Sequence, residues 1–335
     1  MEKQIQKKEG EISLQKELRT YVNEMLTELM TTSFNELLKI SDKAMVNAFC
    51  KIINKQGMSM FLTQAKAQGW GATIGNEMKD IVTMMQWGHI SLSGLENVEV
   101  ELRENGAVGT LHNCIFKDFL PDFCIVLSHY SVASFCELIN PEYDSIWLNR
   151  MSEGDPFCRY IVKKKSISYE RLEDLGKVVG MLPPPQGDKE LLKNIATSMI
   201  SFHWIEFTIV FNEIHGREKT MKVLGPNARQ IGLGAGTSLK QSKILQGTDA
   251  RGLGSLIDSL EKDMGKAGNV ISSTPHLYSK EITSCPFKDA PTELCMQMEE
   301  FNNGICQAVN PELEFKYTHT MTAKEPTCLW SITKK

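Results

Sequence analysis

Two periodicities alternate along the chain. Apolar residues recur at three- and four-residue intervals over Leu18 to Asn54, Asn76 to Trp87, Lys189 to Ile214 and Gly252 to Lys266, which predicts helices there. Elsewhere apolar and polar positions alternate. Phe315, Tyr317, His319 and Met321 do so, as do Cys328, Trp330 and Ile332, and earlier Cys158, Tyr160 and Val162. Period two predicts half-buried strands, so the last cysteine of each set points inward beside an aromatic ring. Val98 to Leu111 alternates around Glu104-Asn105-Gly106 and predicts a hairpin; Gly154-Asp155 supplies a further turn. Between the two sets lies Gly180-Met181-Leu182-Pro183-Pro184-Pro185-Gln186-Gly187, a proline-rich, semi-rigid connector.

The order of elements occurs twice, and cysteines mark the recurrence. Cys114 and Cys285 are each followed by Phe-Lys-Asp after one intervening residue. Cys124 and Cys295 come ten residues later in both. Cys136 and Cys306 each precede an Asn-Pro-Glu, and Cys158 and Cys328 lie 22 residues further on. Only Cys50 has no counterpart. We expect an internal duplication with an α+β fold: two tandem copies of a helical plus antiparallel-sheet domain, paired as a pseudo-dimer. The expected boundaries are 1–165, a linker at 166–189, and 190–335. Cys295 and Cys306 are eleven residues apart, three helical turns, so they share one face with Met298 and Phe301. Cys124 and Cys136 are twelve apart, so that helix must be broken or bulged.

Composition adds limits. The 335 residues are 41% hydrophobic and 23% charged, with a net charge of −4, ordinary for a globular protein and without a basic footprint for nucleic acid. The charged N-terminus has no signal-like apolar core, and the longest apolar stretch, Ile200 to Ile214, is interrupted by Ser201, His203, Glu206 and Asn212. No membrane span is expected, and the location is expected to be cytoplasmic, where nine cysteines remain thiols. His203, Trp204 and Phe207 read as core. Gly232 to Ser238 resembles a phosphate loop but lacks the strand before it, and reads as a flexible loop or a close helix contact. Its counterpart near Gly69-Trp70-Gly71 is less glycine-rich.

The cysteines admit three readings: small buried hydrophobes, thiolate nucleophiles, or soft ligands for a metal or tetrapyrrole. No Cys-x-x-Cys pair exists, so no metal set is assigned and the cofactor is left unknown. A nucleophile needs a base or a positive neighbour. His112 and His129 occur only in the first copy, opposite Thr283 and Glu299, as do Gly154 and Asp155, opposite Lys324 and Glu325. A pocket is therefore expected in the first copy among Cys114, Cys136, Cys158, His112 and Tyr160, with His319 as the competing group in the second.

At Cys136, Gly154, Asp155, Cys158 and Tyr160 the chain resembles the L-2-amino-thiazoline-4-carboxylic acid hydrolase family, over roughly 110–165 and 281–335. It is distantly similar to vinyl-reductase-type ligand-binding domains. It departs from the hydrolase pattern at Arg159 and Leu329, where an acidic residue follows the last cysteine, and at Ile139 and Val309. The resemblance implies a hydrolase acting on a cyclic amidine or similar C–N-bonded ring. Cys114, Cys136 or Cys158 would attack, His112 would move the proton, Asp155 would hold the turn, and Tyr160, His129 and Arg150 would bind substrate. The alternative is a non-catalytic protein that binds a small molecule, a tetrapyrrole or a metal. Either way the partner is a small molecule, and homo-oligomers stay open.

Overall fold

The computed structural model describes residues 2–67, 77–93, 97–114, 117, 121–168, 172–184, 189–242 and 244–335. Gly69, Trp70 and Gly71, and Pro185, Gln186 and Gly187 of the connector, lie outside the described residues. In the first half of the chain come α1 (Glu2–Ile40), α2 (Lys43–Ala67), α3 (Met78–Ser93), β1 (Val98–Arg103) and β2 (Gly106–Leu111). Then follow α4 (Pro121–Cys124), a π-helical segment (Ile125–Tyr130), α5 (Ser131–Ile139), β3 (Tyr143–Asn149), β4 (Cys158–Lys164) and β5 (Val178–Met181). The second half holds α6 (Lys189–His215), α7 (Arg217–Gln241), α8 (Ala250–Asp263), β6 (Ala267–Ser273), β7 (Leu277–Ser284), α9 (Thr292–Val309), β8 (Leu313–His319) and β9 (Cys328–Lys334). The class is α+β, with two separate antiparallel sheets.

The sheets run β3-β4-β2-β1-β5 and β6-β7-β9-β8. Without β5, the first has the connectivity of the second. The registers also correspond: Leu111 faces Cys158 and Gly109 faces Tyr160 across β2 and β4, while Ile282 faces Cys328 and Lys280 faces Trp330 across β7 and β9. On the other side Trp147 faces Tyr160, and Tyr317 faces Trp330.

Compactness divides the chain differently from the expected boundaries. One unit is Asp42–Glu206; the other joins Met1–Ser41 to Phe207–Lys335. In the first, Ile195 and Met199 of α6 pack with Met58 and Phe61 of α2 and Ile81 and Met85 of α3. In the second, α1 lies against α7 and α8, and the Phe34 and Phe207 rings meet at 4.8 Å. The helix α1 therefore lies in the unit that carries the other half's sheet, and so does α6 as far as Glu206, while its remainder from Phe207 on belongs to its own. A repeat in sequence records which residues correspond, not which ones pack.

Three local expectations change. The single helix expected over Leu18 to Asn54 is two, because the Asp42 carboxylate accepts the Met45 N–H at 3.0 Å and starts α2 afresh. Ser41, in the break, lies 2.7 Å from His215 Nε2. The connector expected at 166–189 holds β5, which pairs with Glu101, Leu102 and Arg103 of β1. Arg103 pins its approach by donating to the carbonyls of Leu172 and Gly176, and Leu175 is buried against Val108 and Ile161. Of the two readings of Gly232 to Ser238, the flexible loop gives way and the close helix contact holds: the stretch lies inside α7.

There the glycines permit a close approach of α7 to α9. A Cβ on Gly232 would sit 2.0 Å from the Phe301 carbonyl oxygen, and one on Gly236 would sit 2.8 Å from Ala308 Cβ. Gly304 of α9 answers from the other side, its Cβ site 2.2 Å from the Arg229 carbonyl oxygen. The core reading of His203, Trp204 and Phe207 holds, since all three are fully buried. His203 Nδ1 lies 2.7 Å from Glu206 Oε2. Burial raises the Glu206 carboxyl, against the opposing pull of His203 and Asn54.

These contacts separate the glycines of one motif. Gly232→Ala should destabilise the protein by about 1–3 kcal/mol, the usual cost of overpacking. Gly234→Ala, with nothing within 4 Å of its Cβ site, should be neutral or stabilising by up to about 1 kcal/mol through helix propensity. Urea unfolding of both variants measures the difference, and equal effects would contradict the packing described.

Candidate functional site

The clearest cluster of polar groups forms where the first turn of a helix meets the turn between the last two strands. In the first half the extra residue between Cys124 and Cys136 is absorbed by the π-helical segment, a common way to insert one residue without losing the buried face. Both thiols stay buried. The turn at Met151 to Gly154 ends with Gly154 at φ +96°. The Asp155 carboxylate accepts the Arg150 N–H at 2.8 Å, which ties the end of the turn to its start. The Met151 N–H then points at Cys158 Sγ, 3.3 Å away. Ser152 is close enough to Cys124 to draw its thiol down against the effect of burial.

The second half has the same turn. Lys324 takes the left-handed position at φ +70°, the Met321 N–H donates to Cys328 Sγ at 3.1 Å, and the Thr322 hydroxyl donates to Cys295 Sγ at 3.3 Å. The turn thus has the same form with Lys324-Glu325 as with Gly154-Asp155, at the cost of a left-handed lysine, about 1–2 kcal/mol.

Around this place the two halves differ in charge. In the first, Arg150 is close enough to act electrostatically on Cys124, Cys158 and His129, and it pairs with Glu153 at 2.9 Å. Burial lowers His129, and Arg150 adds to that. In the second, a cavity of about 320 Å³ opens beside Cys295, lined also by Thr292, Glu299, Tyr317, His319 and Glu325. Burial raises the Glu299 carboxyl, while the backbone N–H of Tyr317, at 2.9 Å, draws it back. His319 Nε2 lies 3.1 Å from the Thr327 hydroxyl.

The structure therefore groups four of the expected residues, His129, Arg150, Asp155 and Cys158, and separates the rest. Cys136 is buried elsewhere, near Asp144 and Tyr160. His112 is an exposed residue 3.4 Å from Glu99. Cys114 is half-buried, and Tyr160 is fully buried with its ring flat on Gly109. Sequence reasoning passed over Cys124, Ser152, Glu299 and Cys295. The doubled spacing of the cysteines marked two of these, but their grouping depends on the turn.

The thiols themselves are poorly placed to ionise. Burial pushes Cys136 and Cys306 up to about 12 and Cys295 up to about 11, and it raises Cys50, Cys124, Cys158 and Cys328 as well. Among the described residues no group of three or more His, Cys, Asp or Glu side chains could share a metal ion, and no helix is long and apolar enough to cross a membrane.

Behind each site the covered sheet face is built differently. In the first half the largely buried His89 stands against Tyr160 and Trp147, with ring centroids 5.2 and 6.1 Å away. In the second, Glu261 receives the Trp330 indole N–H at 2.9 Å, Lys266 at 3.0 Å and Lys280 at 3.3 Å. Asp258 takes Lys280 at 2.7 Å. Burial alone would lower Lys266, but Glu261 holds its ammonium well above the usual range.

Comparison with protein-family models, curated proteins and solved structures returns no match for this chain.

Two predictions follow from the burial of these groups. Mild iodoacetamide labelling of the native protein should reach Cys114 and Cys295 first and leave Cys136 and Cys306 unmodified; denatured, unreduced protein should titrate nine thiols. Fast labelling of Cys136 would contradict its burial. His89 is lowered by burial from 6.5 to about 4. An unfolded chain binds this proton below pH 6.5 while the folded one does not until about pH 4, so stability present above 6.5 is lost on acidification between those values. The loss approaches about 3 kcal/mol. Melting temperatures of the native protein and His89→Gln from pH 7 to pH 4 should converge as the pH falls, and parallel curves would refute the assignment.

Proposed function

We propose that the protein binds a small cationic or amidine-bearing molecule without cleaving it, at the cavity beside Cys295. The observation that carries this reading is the lining of that cavity: two carboxylates, Glu299 and Glu325, with hydroxyls, an imidazole and a thiol. Its volume of about 320 Å³ is at the lower end of ligand pockets, roughly 300–1,000 Å³. Glu299 has lost solvent on burial, and an amidinium or ammonium would replace what it lost with a charge-assisted hydrogen bond. The raised thiols favour packing and turn-holding over attack. The parallel strand orders and duplicated thiol turns support descent from one duplicated domain, and a reducing, cytoplasmic setting suits nine free thiols.

A second reading keeps the hydrolase that the family resemblance implies, with Cys158 as nucleophile. It is favoured by the Met151 N–H and Arg150, both of which stabilise a Cys158 thiolate against the effect of burial. Calorimetric titration with 2-aminothiazoline, a cyclic amidine, separates the two. Binding that is saturable, leaves the compound intact by chromatography, and weakens at least about tenfold in Glu299→Gln, the worth of one charged hydrogen bond, supports the binding protein. Ring opening that disappears in Cys158→Ser supports the hydrolase instead.

A further inference from the structure

Around the cavity beside Cys295 most hydroxyl protons are already committed. A hydroxyl has one proton to give, and a carboxylate has none. Thr292 donates to the Thr322 carbonyl at 3.0 Å, and Thr322 donates to Cys295 Sγ at 3.3 Å. Thr320 Oγ1, 3.0 Å from Thr322 Oγ1, is then the donor of that pair. A second chain runs from β8 to β7. His319 Nε2 lies 3.1 Å from the Thr327 hydroxyl, and that hydroxyl donates to Glu281 Oε1 at 3.3 Å. Thr327 has no proton left for the ring, so the proton between them belongs to His319 Nε2. A neutral imidazole protonated at Nε2 has its accepting lone pair at Nδ1. His319 lines the cavity together with Glu299 and Glu325, so the neutral ring adds a third acceptor to the two carboxylates.

The turn does not need this chain. In the matching registers of the first half stand Asn149, Phe157 and Thr110, with no imidazole among them. We propose that His319 is the residue that selects the ligand, an inference that rests on the reading of this cavity as a site for a cationic or amidine-bearing molecule. Thr327 and Glu281 hold its ring as the Nε2–H tautomer, and Nδ1 accepts an N–H of the ligand alongside Glu299 and Glu325. The ligand is then a cation with an N–H for each acceptor, as amidinium and guanidinium groups have. A quaternary ammonium ion of equal charge has no N–H to give and is refused. Ligand and proton compete for the ring. Protonated His319 is a donor at both nitrogens and itself a cation, so it answers the carboxylates in the ligand's place. The titratable groups facing it are Glu299 and Cys295 from α9, Glu325 from the turn, Tyr317 on its own strand and, through Thr327, Glu281 from β7. Lys266 acts on Tyr317 and Cys295. The carboxylates all favour the protonated ring, so acidification exchanges ligand for proton.

Nitrogen-15 NMR of the labelled native protein reads the tautomer without any ligand. The His319 signals, assigned by their loss in His319→Gln, should place the proton of the neutral ring on Nε2; a proton on Nδ1 would overturn the proposal. Calorimetric titration of the full chain with methylguanidine, which keeps its charge throughout, tests the selection. Native protein should bind it at least about fivefold more tightly at pH 8 than at pH 5.5, across the range in which imidazole changes charge, and should not bind tetramethylammonium. His319→Gln should bind more weakly at pH 8 and lose the pH dependence. Thr327→Val should weaken binding about two- to tenfold, the worth of a neutral hydrogen bond, and Thr327→Ser should restore it. An unchanged pH dependence in His319→Gln, native affinity in Thr327→Val, or equal binding of tetramethylammonium would each overturn the role of His319 and leave the cavity as the site. Failure of both methylguanidine and 2-aminothiazoline to bind native protein at pH 8 would instead overturn the reading of the cavity, and this proposal with it.

Discussion

Each sheet depends on one large ring buried on an inner strand, Tyr160 on β4 or Trp330 on β9. A ring there must be accommodated by the facing strand and satisfied by the helix above. In the first half Gly109 leaves room for the Tyr160 ring to lie flat on the backbone, and His89 and Trp147 complete an aromatic cluster. In the second, Lys280 takes the place of the glycine and brings a charge into the core. That charge obliges Asp258 and Glu261 to be buried with it, and Glu261 then serves Lys266 and the indole N–H together. Removing one partner from such a network leaves an uncompensated charge, a loss of about 3–5 kcal/mol. The residues move as a set or not at all.

This difference bears on what the thiol-bearing turns can do. Both turns aim a backbone N–H at the last cysteine, and the second also donates a hydroxyl to its helix cysteine. The backbone geometry is shared, while the surrounding charge is not. Arg150 and His129 stand by the first turn, Glu299 and Glu325 by the second. One scaffold can thus present opposite preferences for a charged ligand, because charge is set by side chains that the turn does not constrain.

The sequence by itself determined the α+β class, the hairpin at Val98 to Leu111, the strands that carry Cys158 and Cys328 and the inward direction of those cysteines. These follow from local periodicity and spacing, which backbone geometry converts directly into faces. It also determined that the segment between Cys124 and Cys136 had to bulge, because one extra residue turns a helix by 100° and a π-helical segment is the way to absorb it.

Only the tertiary structure decided which residues share a site. Cys136 and Cys158 belong to one spacing pattern, yet they sit by different partners, since a helix and a strand meet at an angle that spacing does not encode. His112 looked like a base because it is two residues from Cys114, but it ends a strand and faces Glu99 in solvent. The connector hid β5 because Val178 and Val179 gain their pairing from β1, far away in sequence. The glycines of α7 left a loop and a close helix contact both open, because the backbone approach to α9 that decides between them exists only once the two helices are packed. The compact units, too, follow from which apolar faces meet, and α1 and the first part of α6 bury theirs beyond their own half because burial rewards contact without regard to chain order.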